Sequence, residues 1–169
     1  HGSQWLQKYE SVKKIVENGG IVAFCGKRGA GKTRMAYELA KNCKLPDPQI
    51  KRLNHAEDRP CIYRTAMEFF MEMRSTYSPK AECTEMELFE WFTDAALLVI
   101  DEMQERGETA FEDRKITAIV DARYRNGRPT ILIGNYNHEE FDKSLSDSVI
   151  SRMNETGGFT TFDWKSYRE

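Results

Sequence analysis

The 169-residue sequence has no C-x-x-C pair, no apolar run approaching a membrane span, no internal repeat or low-complexity tract, and no basic surplus. Each absence excludes a class. Cys25, Cys43, Cys61 and Cys83 are spaced for neither a zinc site nor a redox pair, and no metal-ligand cluster is visible. Cys25 and Cys61 sit in apolar runs and read as buried reduced thiols, which suits a cytosolic setting. Without a long apolar run or a visible signal peptide, no membrane association is expected. With 25 Lys and Arg against 27 Asp and Glu, the net charge is -2. A protein that coats duplex DNA usually carries a basic surplus, so any nucleic-acid contact here is local. No start methionine is present either: His1-Gly2-Ser3 reads as a tag scar, and the natural chain is expected to extend upstream.

What is present alternates between two periods. Leu6, Tyr9, Val12, Lys13 and Val16 fall at helical spacing, and Asn18-Gly19-Gly20 stops that helix. Residues 1–20 thus read as a tag remnant and linker helix, and 21–169 as one domain. Ile21 to Cys25 is a short continuous apolar run, as in strands buried on both faces of a parallel sheet. Met35, Ala36, Leu39 and Ala40 mark the inner face of a following helix, and Pro46 and Pro48 open a loop. Further strands are predicted at 61–65, 97–100, 130–133 and 159–162. Helices are predicted at 66–77 and 84–92, parted by Ser78-Pro79, then along Ile116, Ile119, Val120 and Tyr124, and at 145–154. Strands alternating with helices give an α/β fold: a five-stranded parallel sheet with helices on both faces, and two helices inserted after the second strand.

The chemistry is concentrated at three strand ends. Gly26-Lys27-Arg28-Gly29-Ala30-Gly31-Lys32-Thr33 matches G-x-x-x-x-G-K-[ST], the phosphate-cradling P-loop, with Arg34 next. Gly26 and Gly31 let backbone N–H groups wrap an anion, and the following helix points its positive end at it. Lys32 supplies a mobile charge for the β- and γ-phosphates of ATP, and the Thr33 hydroxyl a ligand for Mg2+. Asp101-Glu102 ends the 97–100 strand; Asp101 suits the magnesium shell and Glu102 the activation of water. Asn135, just beyond the 130–133 strand, offers an amide to orient that water, though Gly134-Asn135 is also a turn signal. In an open parallel sheet, ligands bind at such carboxyl ends. Arg152 reads by pattern alone as a surface arginine on a helix.

The set G-K-R-G-A-G-K-T, L-L-V-I-D-E, I-L-I-G-N, S-R-M and F-D-W-K-S-Y-R resembles the AAA+ ATPase domain of DnaC- and DnaI-type helicase loaders, with the transposition ATPase IstB a near relative. The resemblance runs from Ile21 to Arg168. It implies Walker roles for Lys32, Thr33, Asp101 and Glu102, and a sensor role for Asn135. It also implies an arginine finger acting across subunits at Arg152, a sensor-like Arg168, and little or no lid domain. The inserted helix pair resembles the initiator-type insertion of this clade. Tyr77, Thr109 and Phe111 fall where the family contacts single-stranded DNA. Stacking on an aromatic tolerates any base, but Tyr77 and Phe111 read equally well as core, and Arg74 and Lys80 as a solvated face. The implied function is an ATP-hydrolysing helicase loader that self-assembles with ATP in a bacterial or phage-infected cell. It would bind single-stranded DNA and a DnaB-type helicase, the helicase mainly through a region upstream of residue 1. The family's basic residue one turn before the finger is Ser148 here. Two other readings remain: a transposition ATPase, disfavoured by net charge, and a P-loop small-molecule kinase, which needs a lid over its acceptor.

Overall fold

The computed structural model describes residues 2–44 and 61–164. The predicted loop at Pro46 and Pro48, and Arg168, lie outside the described residues. Helix α1 (Gly2–Glu17) leads into β1 (Ile21–Gly26), α2 (Lys32–Asn42) and β2 (Cys61–Thr65). The inserted pair is α3 (Ala66–Ser75) and α4 (Glu85–Asp94), followed by β3 (Leu97–Asp101). A short 3-10 turn (Met103–Glu105), α5 (Ala110–Arg125) and β4 (Thr130–Ile133) come next. Helices α6 (His138–Ser144) and α7 (Asp147–Thr156) and strand β5 (Gly158–Phe162) complete the order.

Among the described residues the strands form one five-stranded sheet, β2-β3-β4-β1-β5. Every pairing is parallel. Strand residues alternate between two cores. Ile21, Ala23, Leu98, Ile100 and Leu132 pack with α3, α4, α5, α6 and α7. Val22, Phe24, Val99, Ile131 and Phe162 pack with α1 and α2. Burial on both faces explains why the middle strands read as unbroken apolar runs.

Local signals set the boundaries. Gly19 takes φ 76° and ends α1. Thr65, Thr84 and Asn137 close capping boxes with Glu68, Glu87 and Glu140, each hydroxyl or amide oxygen accepting from the third residue of its helix. One buried cation fastens the insertion to the sheet. Arg123 of α5 is fully buried. It donates from Nη1 to the carbonyls of Phe92 (2.8 Å), Thr93 (3.0 Å) and Ala95 (2.9 Å), at the end of α4. Nη2 donates to the Pro129 carbonyl (2.6 Å) and Nε to Thr130 Oγ1 (2.8 Å).

Three features depart from what the sequence predicts. Cys25 is buried as expected, but Cys61 is exposed, because β2 is an edge strand and Cys61 begins it. The predicted 66–77 helix ends at Ser75, ahead of a turn through Tyr77 that precedes Pro79. Helix α6 was not predicted; it follows Asn137, and α7 then starts at Asp147 rather than at 145.

Candidate nucleotide site

The carboxyl ends of β1, β3 and β4 meet in one cleft of about 760 Å³. The P-loop joins β1 to α2, and Gly29 and Gly31 take φ 80° and 88°, the left-handed region glycine enters freely. Gly26 has a different cause. At φ 133°, a Cβ there would lie 2.3 Å from the Phe162 carbonyl oxygen, so strand β5 demands this glycine. Behind the loop, Trp164 Nε1 donates to the Ala30 carbonyl (3.0 Å). Lys8 of α1 lies over the Trp164 ring and donates to the Thr161 carbonyl.

The predicted residues converge. Lys32 Nζ donates to the carbonyls of Gly26 (2.7 Å) and Lys27 (2.8 Å) and to Asn135 Oδ1 (2.9 Å). Burial lowers its pKa from the usual lysine range to about 8, opposed by the nearby Asp101 carboxylate. Thr33 Oγ1 donates to Asp101 Oδ2 at 2.6 Å. The Glu102 N–H donates to Asp101 Oδ1 (2.6 Å), and Glu102 holds φ 55° and lines the cleft. A left-handed glutamate costs about 1 kcal/mol, a strain typical of functional positions. Arg28 and Arg34 also line the cleft.

Thr33 Oγ1 and Asp101 Oδ2 are hard oxygen donors at one point. Among the described residues no group of three or more His, Cys, Asp or Glu could hold a metal. That donor set fits Mg2+, which keeps most of its shell as water and phosphate oxygen.

Tyr63, Trp5, Leu6 and Tyr9 line the cleft and Gln104 lies beside it, and none of them belongs to a motif. Tyr63 donates its hydroxyl to Asp101 Oδ2 (3.0 Å); burial and the neighbouring carboxylate push its phenol above the ordinary range. Gln104 Oε1 accepts from the Asn135 N–H (2.9 Å), tying the β3 tip to the β4 tip. Trp5, Leu6 and Tyr9 of α1 form a wall, with Trp5 and Tyr9 stacked at 5.4 Å. Motif spacing is silent on all of them, since their positions depend on strand order and on where α1 packs.

Arg152 is not among the cleft residues. On α7 its Nε lies 3.2 Å from Asp121 Oδ1, and its guanidinium lies 4.7 Å from the Tyr124 ring centre. Ser148, one turn earlier, donates to the same carboxylate at 3.1 Å. Tyr77 and Phe111 meet elsewhere, edge to face at 6.1 Å. Arg74 lies 5.3 Å and Lys115 5.4 Å from the Phe111 ring centre. Tyr77 is 58% exposed, whereas Phe111 leans on the core. Thr109 Oγ1 accepts from the Glu112 N–H and caps α5.

A parallel sheet in the order β2-β3-β4-β1-β5, with a P-loop after β1 and an Asp-Glu pair after β3, defines the AAA+ fold. No protein-family model matches the chain. Over 158 residues, 93% of the chain, it is 30% identical to the replicative helicase loader DnaC of Escherichia coli K12. The chain spans 60% of that relative's length. A crystal structure of the DnaC helicase loader superposes with TM-score 0.70 at 17% identity, covering 96% of this chain and 89% of that one. The replication initiator DnaA, bound to AMPPCP and single-stranded DNA, superposes with TM-score 0.68 at 21% identity, covering 94% and 46%. Over nearly its whole length the chain is thus similar to the AAA+ domain of DnaC-type replicative helicase loaders.

Proposed function

We propose that the chain binds and hydrolyses ATP with Mg2+ and acts in DNA replication as the motor domain of a cytoplasmic helicase loader. The observation that carries this reading is the convergence of Lys32, Thr33, Asp101 and Asn135 through direct hydrogen bonds at three strand tips. Main-chain N–H groups of Gly29 to Thr33 cradle the phosphates, and Lys32 moves from its carbonyl partners onto the β- and γ-oxygens. Thr33 and Asp101 would hold the metal, which when bound would supply positive charge beside the phosphates. Glu102 accepts a proton from the attacking water, and Asn135, braced by Gln104, orients that water. The stacked Trp5 and Tyr9 offer the apolar end of the cleft to the base.

Arg152 completes the site of a neighbouring copy in an ATP-dependent assembly. Its Nε lies 3.2 Å from Asp121 Oδ1 and its guanidinium sits over Tyr124. Tyr77 and Phe111, flanked by Arg74 and Lys115, bind single-stranded DNA by base stacking with cations beside it. The partner is a replicative ring helicase of the DnaB type, a reading supported by the similarity to the replicative helicase loader DnaC.

The test is ATP turnover with and without single-stranded DNA. Glu102→Gln should keep nucleotide binding and lose turnover by about 100-fold or more. Phosphate appearing on a metabolite acceptor, or turnover unchanged in Glu102→Gln, would refute the reading. Tighter binding to duplex than to single strands in ATP would move the function towards transposition.

A further inference from the structure

One side chain touching the Asp101 carboxylate belongs to none of the motifs. We propose that Tyr63 is a positioning residue for Asp101, setting the carboxylate that serves the magnesium–nucleotide complex; this rests on the metal reading given above. Tyr63 lies in the middle of the edge strand β2, which pairs with β3 so that Tyr63 opposes Val99 and Thr65 opposes Asp101. Its ring therefore reaches two residues along the neighbouring strand to put the phenol on the strand tip. There the hydroxyl donates to Asp101 Oδ2 at 3.0 Å.

Among the described residues three donors reach Asp101. Oδ2 takes Thr33 Oγ1 (2.6 Å) and the Tyr63 hydroxyl, and Oδ1 takes the Glu102 N–H (2.6 Å). Donors on both oxygens, arriving from β2, α2 and the residue that follows β3, fix the carboxylate plane. Asp101 is only 5% exposed, so solvent is poorly placed to replace a lost donor. Tyr63 itself is 45% exposed and belongs to neither core cluster. Apolar packing thus gives no reason for an aromatic at this position, whereas its hydroxyl has a defined partner in the cleft. Removing an outer-shell partner of a metal site changes metal affinity by about 10–100-fold.

The experiment uses the full chain and Tyr63→Phe, which keeps the ring. Affinity for a fluorescent, non-hydrolysable ATP analogue is measured across a Mg2+ titration and, separately, in EDTA. The Mg2+ concentration giving half of the metal-dependent gain should rise about tenfold in Tyr63→Phe. In EDTA the variant and wild type should bind alike, since the phenol acts through the metal-binding carboxylate; a residue that merely held the cleft in shape would weaken both arms equally. A half-saturating Mg2+ concentration that is unchanged or lower in Tyr63→Phe overturns the assignment, as does equal weakening of both arms. If wild type itself shows no metal-dependent gain, the magnesium reading falls and this one with it. A wild-type response matched by the variant sinks the Tyr63 role alone.

Discussion

Raising the pH from about 7 to about 9.5 takes the proton from Lys32, and a phosphate needs that proton. Burial holds the Lys32 pKa near 8 in the ligand-free site. A triphosphate in contact with the ammonium favours the charged form and keeps the proton on to higher pH. Binding above pH 8 must then take up a proton. The protonated fraction falls from roughly nine-tenths at pH 7 to about 3% at pH 9.5, so affinity should drop about thirtyfold, or about 2 kcal/mol. The assay is anisotropy of a fluorescent ATP analogue in EDTA at constant ionic strength, so that Lys32 acts without a metal. Lys32→Arg keeps its charge throughout this range, so its affinity, whatever its size, should be flat. Stability moves the opposite way. The folded pKa lies below the unfolded 10.5, so the cost of a buried ammonium is fully present below about pH 8 and is relieved as pH rises towards 10.5. Relative to Lys32→Met, nucleotide-free wild type should therefore gain thermal stability over that window. Wild-type affinity that stays flat across the range, or Lys32→Arg falling with the same slope, would refute the argument.

Three further outcomes follow from packing and exposure. Arg123→Ala leaves the carbonyls of Phe92, Thr93, Ala95 and Pro129 without their shared donor; urea unfolding should register a loss of about 3–5 kcal/mol. Gly26→Ala forces a Cβ to 2.3 Å from the Phe162 carbonyl oxygen at φ 133°. Calorimetry should find about 3 kcal/mol of destabilisation together with weakened nucleotide binding, and a wild-type melting profile would disprove the clash. Tyr77→Ala removes an exposed ring, so the melting temperature should hold while single-stranded DNA affinity falls about tenfold; unchanged affinity would remove Tyr77 from the DNA path.

The parts legible in the sequence are those governed by local rules. Continuous apolar runs such as Ile21–Cys25 and Leu97–Ile100 announce strands covered on both faces, and the P-loop spacing carries its own strand-loop-helix context. Strand-end logic likewise anticipates the meeting of Lys32 with Asn135 and of Thr33 with Asp101. Tertiary order hides the rest. Tyr63 reaches Asp101 only because β2 neighbours β3, and Cys61 is exposed only because β2 is the edge. Arg123 continues the stripe of Ile116, Ile119 and Val120, yet a charge on a helix reads as solvated until five hydrogen bonds are seen to enclose it. Helix α6 is short and largely polar, and the turn signal of Gly134-Asn135 masks the capping box of Asn137 and Glu140 that starts it.

The most direct test is a crystal structure of the chain with Mg2+ and a non-hydrolysable ATP analogue. Terminal phosphates should lie against Lys32 Nζ, with the metal about 2.1 Å from Thr33 Oγ1 and Asp101 bonded to its water shell. A nucleotide bound away from the P-loop, or a metal that ignores both Thr33 and Asp101, would contradict a shared pocket at the tips of β1, β3 and β4.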